Sequence, residues 1–240
     1  MRIDRSLEFG ILLSIVAASC NSATSDAEPA REQRHDSVAA VAGPSMTPLK
    51  DGVHFTSRIT HPYFPLATVR YAELRSDDEF VVREVLADIR QVAGVDCTVL
   101  AEKEHEDGVL AEISYNFFAE DGAGNVYYFG EDVEDYKDGR VVGHGGAWLV
   151  GRNATEPCVF MPAHLTVGLG FKNENSPPAA EEWNEIEAID ANLEVPSGNY
   201  RDVLVIKEAD KPGKWKERKY YAKGVGLISE NRKLNLVTSR

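Results

Sequence analysis

The strongest constraint on this chain is a series of turn signals that divides its body into short lengths. Asp107-Gly108, Asp121-Gly122-Ala123-Gly124-Asn125, Asp138-Gly139, Pro196-Ser197-Gly198-Asn199 and Lys211-Pro212-Gly213-Lys214 all combine residues that favour tight reversals. Glycine enters the left-handed backbone region without steric cost, and Asp and Asn tolerate it. Between these signals lie segments rich in Val, Ile, Tyr and Phe, side chains that suit a pleated, half-buried surface. That rhythm predicts hairpins, and hence an all-β antiparallel domain.

Several strands can be placed. Over residues 109–118, Ile113, Tyr115 and Phe117 interleave with Glu112, Ser114 and Asn116. A short aromatic strand follows at 125–130, and a longer one at 140–150 ends near Trp148. Residues 200–209 and 215–222 flank Lys211-Pro212-Gly213-Lys214 as a hairpin, and 226–229 with 233–237 form the last. Two stretches admit a helix. In 80–92, Val82, Val85, Leu86 and Ile89 fall at helical spacing, although β-branched residues favour two strands. In 177–189, two prolines precede a run of helix formers, consistent with a short helix or a loop leading into a strand. At most one or two short helices are expected.

The N-terminal end reads differently. Residues 9–18 are apolar except for Ser14, too short to cross a bilayer core of about 30 Å as a helix but suited to the apolar part of an export signal. Arg2 and Arg5 precede it, offset by Asp4 and Glu8. Ala17-Ala18-Ser19-Cys20 then has the pattern of a lipobox, in which the Cys20 thiol takes a diacylglycerol. The plain alternative is an ordinary secretory signal cut near the same small residues. Residues rich in Ala, Ser, Asp, Glu and Pro follow, as in a flexible tether. The expected organisation is a signal over 1–19, a lipidated cysteine and tether over 20–55, and one domain over 56–240. That places the chain outside the cytosol, on the membrane through its lipid.

A domain of roughly 180 residues can bury about 70% of its unfolded surface, so it needs no metal or disulfide to fold. The formal charge of -13 is carried entirely beyond residue 19. Such a surface repels phosphate backbones, which argues against nucleic acid as a partner. An oxidising compartment would let Cys97 and Cys158 pair; the alternative is two separate thiols.

The later hairpins carry a resemblance. Residues 119–142 read AEDGAGNVYYFGEDVEDYKDGRVV, Met161-Pro162-Ala163 follows, and residues 220–228 read YYAKGVGLI. With His61-Pro62-Tyr63-Phe64-Pro65-Leu66 and Ala93-Gly94-Val95-Asp96-Cys97, these resemble a widespread family of uncharacterised bacterial exported proteins, a domain of unknown function. The likeness spans about residues 60 to 230 and implies a curved antiparallel sheet or incomplete barrel in the cell envelope. It implies no activity. The chain departs from the family pattern at Ala67-Thr68-Val69-Arg70-Tyr71, at Lys223 and at Pro157-Cys158, so Cys158 is not a family position.

Candidate chemistry is local. Asp121 and Asn125 bracket a Gly-rich turn and Asp132 stands where a calcium loop would end, which makes calcium the one metal to consider. Against it, Ala123 stands where a second carboxylate is normal. His54, His61, His105, His144 and His164 show no short metal-ligand spacing. Gly143-His144-Gly145-Gly146 looks like an oxyanion loop, but no G-x-S-x-G elbow accompanies it, so a strand bend is the better reading. Glu181, Glu182, Glu185 and Glu187 surround Trp183 and could pair as in a glycosidase. Tyr115, Phe117, Tyr127, Phe129, Trp148 and Tyr220 lie on predicted strands, with Phe160 and Phe171 near them. Such aromatics either fill the core or line a site for an apolar or amphiphilic molecule in the mouth of the sheet. The expected function is ligand or partner-protein binding. An envelope enzyme using paired carboxylates and a structural module are the rivals.

Overall fold

The computed structural model describes residues 53–240. Cys20, the apolar run before it and most of the tether lie outside the described residues. Fifteen strands form one antiparallel sheet: β1 (Phe55–Thr56), β2 (Tyr71–Arg75), β3 (Glu79–Val92), β4 (Val95–Glu106), β5 (Val109–Asp121), β6 (Val126–Lys137), β7 (Arg140–Gly143), β8 (Trp148–Leu149), β9 (Cys158–Met161), β10 (Gly170–Ser176), β11 (Ala180–Val195), β12 (Gly198–Ala209), β13 (Glu217–Ala222), β14 (Gly226–Glu230) and β15 (Leu234–Ser239). No helix occurs among the described residues.

The path across the sheet runs β10-β11-β12-β13-β14-β15-β2-β3-β4-β5-β6-β7. It is two meanders joined where the last strand pairs with β2, from Asn235 opposite Arg75 to Ser239 opposite Ala72. The predicted turns at 107–108, 138–139 and 211–214 all separate consecutive paired strands.

Two local expectations are corrected, and one pair of alternatives is decided. Residues 80–92 belong to one strand, not two and not a helix. Its register slips between Val85 opposite Leu100 and Ile89 opposite Thr98. The extra residues of that bulge shift the alternation and leave apolar side chains at spacing that mimics a helix. Of the two alternatives over 177–189, the loop leading into a strand holds and the short helix does not: the turn at 177–179 feeds β11, whose ladder with β12 overrides the helix propensity of its Ala and Glu residues. The single strand expected over 140–150 is split, because the 144–147 turn separates β7 from β8.

β6 has three short partners along its outer edge: β9 at Val126–Tyr128, β8 at Gly130–Glu131 and β7 at Asp135–Lys137. Gly130 makes this possible. Its φ is +116°, and a Cβ there would lie 2.1 Å from the Trp148 carbonyl oxygen, so only glycine lets β8 approach. The sheet curls until β9 lies beside β10, yet no ladder joins those two strands among the described residues. A side chain spans the seam instead, with Ser176 Oγ donating to the Asn153 carbonyl at 2.9 Å. The sheet is therefore open, not a closed barrel.

Residues 57–69 plug one end. Phe64, 1% exposed, sits 5.0 Å from the Phe118 ring and 4.7 Å from Phe160. The Glu120 carboxylate accepts from the backbone N–H groups of Thr60 and His61 and from Thr60 Oγ1. Gly224 N–H donates to the Pro62 carbonyl at 2.8 Å, and His61 Nε2 lies 3.2 Å from the Pro162 carbonyl. Four of the motifs quoted above, at 61–66, 119–130, 161–163 and 220–228, thus converge on this plug.

Candidate functional site

Above the plug the curled sheet encloses a cavity of ≈ 210 Å³. Alternation supplies its wall. On β5, Glu112, Ser114, Asn116 and Phe118 line it, and their register partners on β4 and β6 continue the rows. Glu104 stands opposite Glu112, which stands opposite Asp135; Leu100 stands opposite Asn116, which stands opposite Glu131. On the other side of the seam, Glu174 faces Glu182, and Glu208 lies opposite both Asn184 and Glu217.

The floor, next to the plug, mixes rings with a hydrogen-bonded network. Phe118, Tyr128 and Phe160 pack together, with Phe118 and Tyr128 stacked at 4.8 Å. Arg83 Nε donates to Glu102, and Asn116 Nδ2 donates to Ser114 Oγ at 3.0 Å and to Glu102 at 3.3 Å. The Tyr128 hydroxyl donates to Asn116 Oδ1. Higher up, the wall is acidic. Besides Glu181, whose side chain pairs outward with Lys172, ten lining residues are acids and three are bases. The bases are each spoken for: Arg83 by Glu102, Lys219 by Glu208 at 2.8 Å and Lys216 by Asp210 at 3.1 Å. Among the described residues, no salt bridge joins Glu104, Glu112, Glu131, Glu174 or Glu217 to a cation.

Burial is the main influence on these groups. Removing a carboxylate from water disfavours its charge, so Glu104 and Glu131 are held well above the usual carboxylate range. Burial, reinforced by Asp135, pushes Glu112 up to about 7. Glu217 rises to about 7 and Glu174 to about 8, again chiefly through burial. Lys219 shifts upward: burial disfavours its charge, but Glu208, Glu230 and Glu182 outweigh that cost. About a quarter of the Lys219 side chain stays accessible, on the cavity wall.

The aromatic residues expected to touch a ligand lie elsewhere. Tyr115, Phe117, Tyr127, Phe129, Trp148 and Tyr220 do not line the cavity; Phe118, Tyr128 and Tyr221, one residue along, do. The alternation was legible but its inward phase was assigned to the apolar set. Phe117 and Phe129 are buried all the same, and Phe55 of β1 packs edge-on against Tyr127 and Phe129, both at 5.3 Å. Phe55 is thus part of the domain, one residue before the boundary expected at 56. Trp148 is buried behind the wall, 5.1 Å from Tyr128. Tyr220 accepts from Arg232 Nε at 3.1 Å. Of the aromatics considered, Phe160 alone reaches the cavity.

The calcium triad is not assembled. Asp121 Oδ1 accepts the N–H groups of Ala123 and Asn125, and Oδ2 accepts Asn125 Nδ2, all at 2.9 Å. Asn125 Oδ1 accepts Ala163 N–H. Asp132 lies away on β6, 3.4 Å from Arg152. Among the described residues no group of three or more His, Cys, Asp or Glu side chains could hold a metal ion. Cys97 and Cys158 are free, buried thiols, not a disulfide. Of the four glutamates around Trp183, Glu182 turns inward. Glu181, Glu185 and Glu187 turn outward, each within 2.7 Å of a cation: Lys172, Lys207 and Arg218. In the Gly143-His144-Gly145-Gly146 turn, Gly145 N–H donates to Asp135 and His144 Nδ1 sits 2.6 Å from the Val133 carbonyl, which is a strand bend.

Sequence reasoning missed Arg83, Glu102, Glu104, Glu174, Glu208 and Lys219. The available signal was their in-register polar stripe across neighbouring strands, visible only once pairing is known. No family model, curated protein or solved structure matches the chain.

Proposed function

We propose that the protein is a cell-envelope binding protein, anchored through a lipid on Cys20, that holds a small ligand inside its curled sheet. The supporting observation is the ≈ 210 Å³ cavity, floored by Phe118, Tyr128 and Phe160. A floor of rings beneath a polar wall suits an amphiphilic molecule better than a wholly apolar one. Native mass spectrometry of the full-length chain, extracted from membranes without denaturant, tests this. The expected spectrum shows a diacylated N-terminal cysteine and a bound small molecule, and Ala180→Phe, which fills the wall at a buried lining position, removes the latter. A wild-type mass equal to the bare chain, with no lipid and no cargo, overturns the reading.

A second reading is an enzyme. Glu112 near 7 and Glu174 near 8 have the proton affinity of general acids at neutral pH. It requires Glu112→Gln or Glu174→Gln to abolish turnover of an envelope substrate while leaving binding intact.

A further inference from the structure

Resting on the binding reading above, we propose that the cargo is a small aliphatic cation carrying more than one ammonium group. The wall has a large excess of carboxyl groups, and its three cations are already engaged. An acidic wall alone would say only that the interior is polar. Two further observations give it direction.

The first is a set of buried acceptors that no donor among the described residues satisfies. Asn173 lines the cavity and is 4% exposed; its Nδ2 donates to Glu182, but its Oδ1 has no partner. Glu112 Oε2, on the β4–β6 side of the seam, is likewise buried and without a donor. A buried acceptor left unmatched costs about 1–3 kcal/mol, and an ammonium offers three donors and no acceptor. One such acceptor on each side of the seam calls for donors at two places.

The second is the spread of the acids. They are distributed along β4, β5, β6, β10, β11, β12, β13 and β14, and no three converge as metal ligands among the described residues. A point charge of metal size would leave most of them unanswered, whereas an extended cation reaches both groups. The methylenes between its ammonium groups would lie over Phe118 and Phe160.

Isothermal titration of the full-length chain at pH 8 and low salt tests this with 1,4-diaminobutane as probe. n-Butylamine, 1,4-butanediol and calcium chloride serve as comparisons. The diamine is expected to bind with a stoichiometry near one, the monoamine at least tenfold more weakly, and the diol not at all. The double variant Glu112→Gln/Glu174→Gln should weaken the diamine at least tenfold with its circular dichroism unchanged. Asn173→Leu should weaken it as well, while Asn173→Asp, which keeps an acceptor, should not. Equal binding of the diol overturns the inference and leaves the ligand-holding interior standing. Calcium binding that depends on the same two glutamates does likewise. Diamine binding that survives Ala180→Phe places it outside the cavity and also overturns the inference.

Discussion

The two faces of β11 carry the same residue type in different circumstances. Outward, Glu181, Glu185 and Glu187 each lie within 2.7 Å of a lysine or arginine. Lys172 also stands 4.8 Å over the Trp183 ring, and Lys207 4.9 Å over Trp215. Inward, Glu182 shares the wall with Glu174 and Glu208, and a single lysine, Lys219, answers them. The outer face is a solvated ladder of matched charge, of the kind that keeps a sheet soluble and adds little stability. The inner face concentrates charge of one sign where water is scarce. Such a wall disfavours folding wherever its carboxyls carry charge.

The largest test of this contrast is Lys219→Met. Removing one partner from a buried pair leaves an unanswered carboxylate and costs about 3–5 kcal/mol. Urea unfolding at pH 7.5 should show that loss. A loss under about 1 kcal/mol would erase the distinction between the faces.

Next is the pH dependence of the wild type. Glu112 and Glu217 sit near 7 and Glu174 near 8 in the folded chain, against 4.5 when unfolded. Raised carboxyls bind protons more tightly in the fold, so their contribution is complete below about 4.5 and lost as pH rises through 7 to 8. The outer carboxyl of Glu187 is held low by Arg218, and its contribution fails only in stronger acid. The melting temperature should therefore fall between pH 5 and pH 8, at about 2–4 °C per kcal/mol for a domain of this size. A midpoint that rises over this interval would contradict the inner-face assignment.

The smallest effect belongs to the outer ladder. Glu187→Gln should cost about 0.2–1 kcal/mol, and less in high salt. The cost should be the same at pH 5 and pH 8. Chemical denaturation at two salt concentrations measures it.

What was readable in the amino acids was local. Asp107-Gly108, Asp138-Gly139 and Lys211-Pro212-Gly213-Lys214 announce their hairpins because turn geometry depends on a few adjacent residues. The alternation of Ile113, Tyr115 and Phe117 with Glu112, Ser114 and Asn116 was equally plain. Its inward phase was not, since apolar side chains normally mark the interior and here the polar set faces it. Both faces of this sheet bury rings: Phe118 and Tyr128 inside, and on the other face Phe117 and, against Phe55, Phe129. The bulge in β3 and the break at 144–147 were also hidden, because they are imposed by a partner strand and not by the residues that adopt them.

The missing rungs between β9 and β10 decide where this molecule can yield. Parting any other neighbours in the wall means breaking a row of backbone hydrogen bonds together, while parting these two sacrifices side-chain contacts such as Ser176 with Asn153. Amide exchange should consequently be fastest along that margin, and thermal breathing should loosen the interior lengthwise before the hairpins give way.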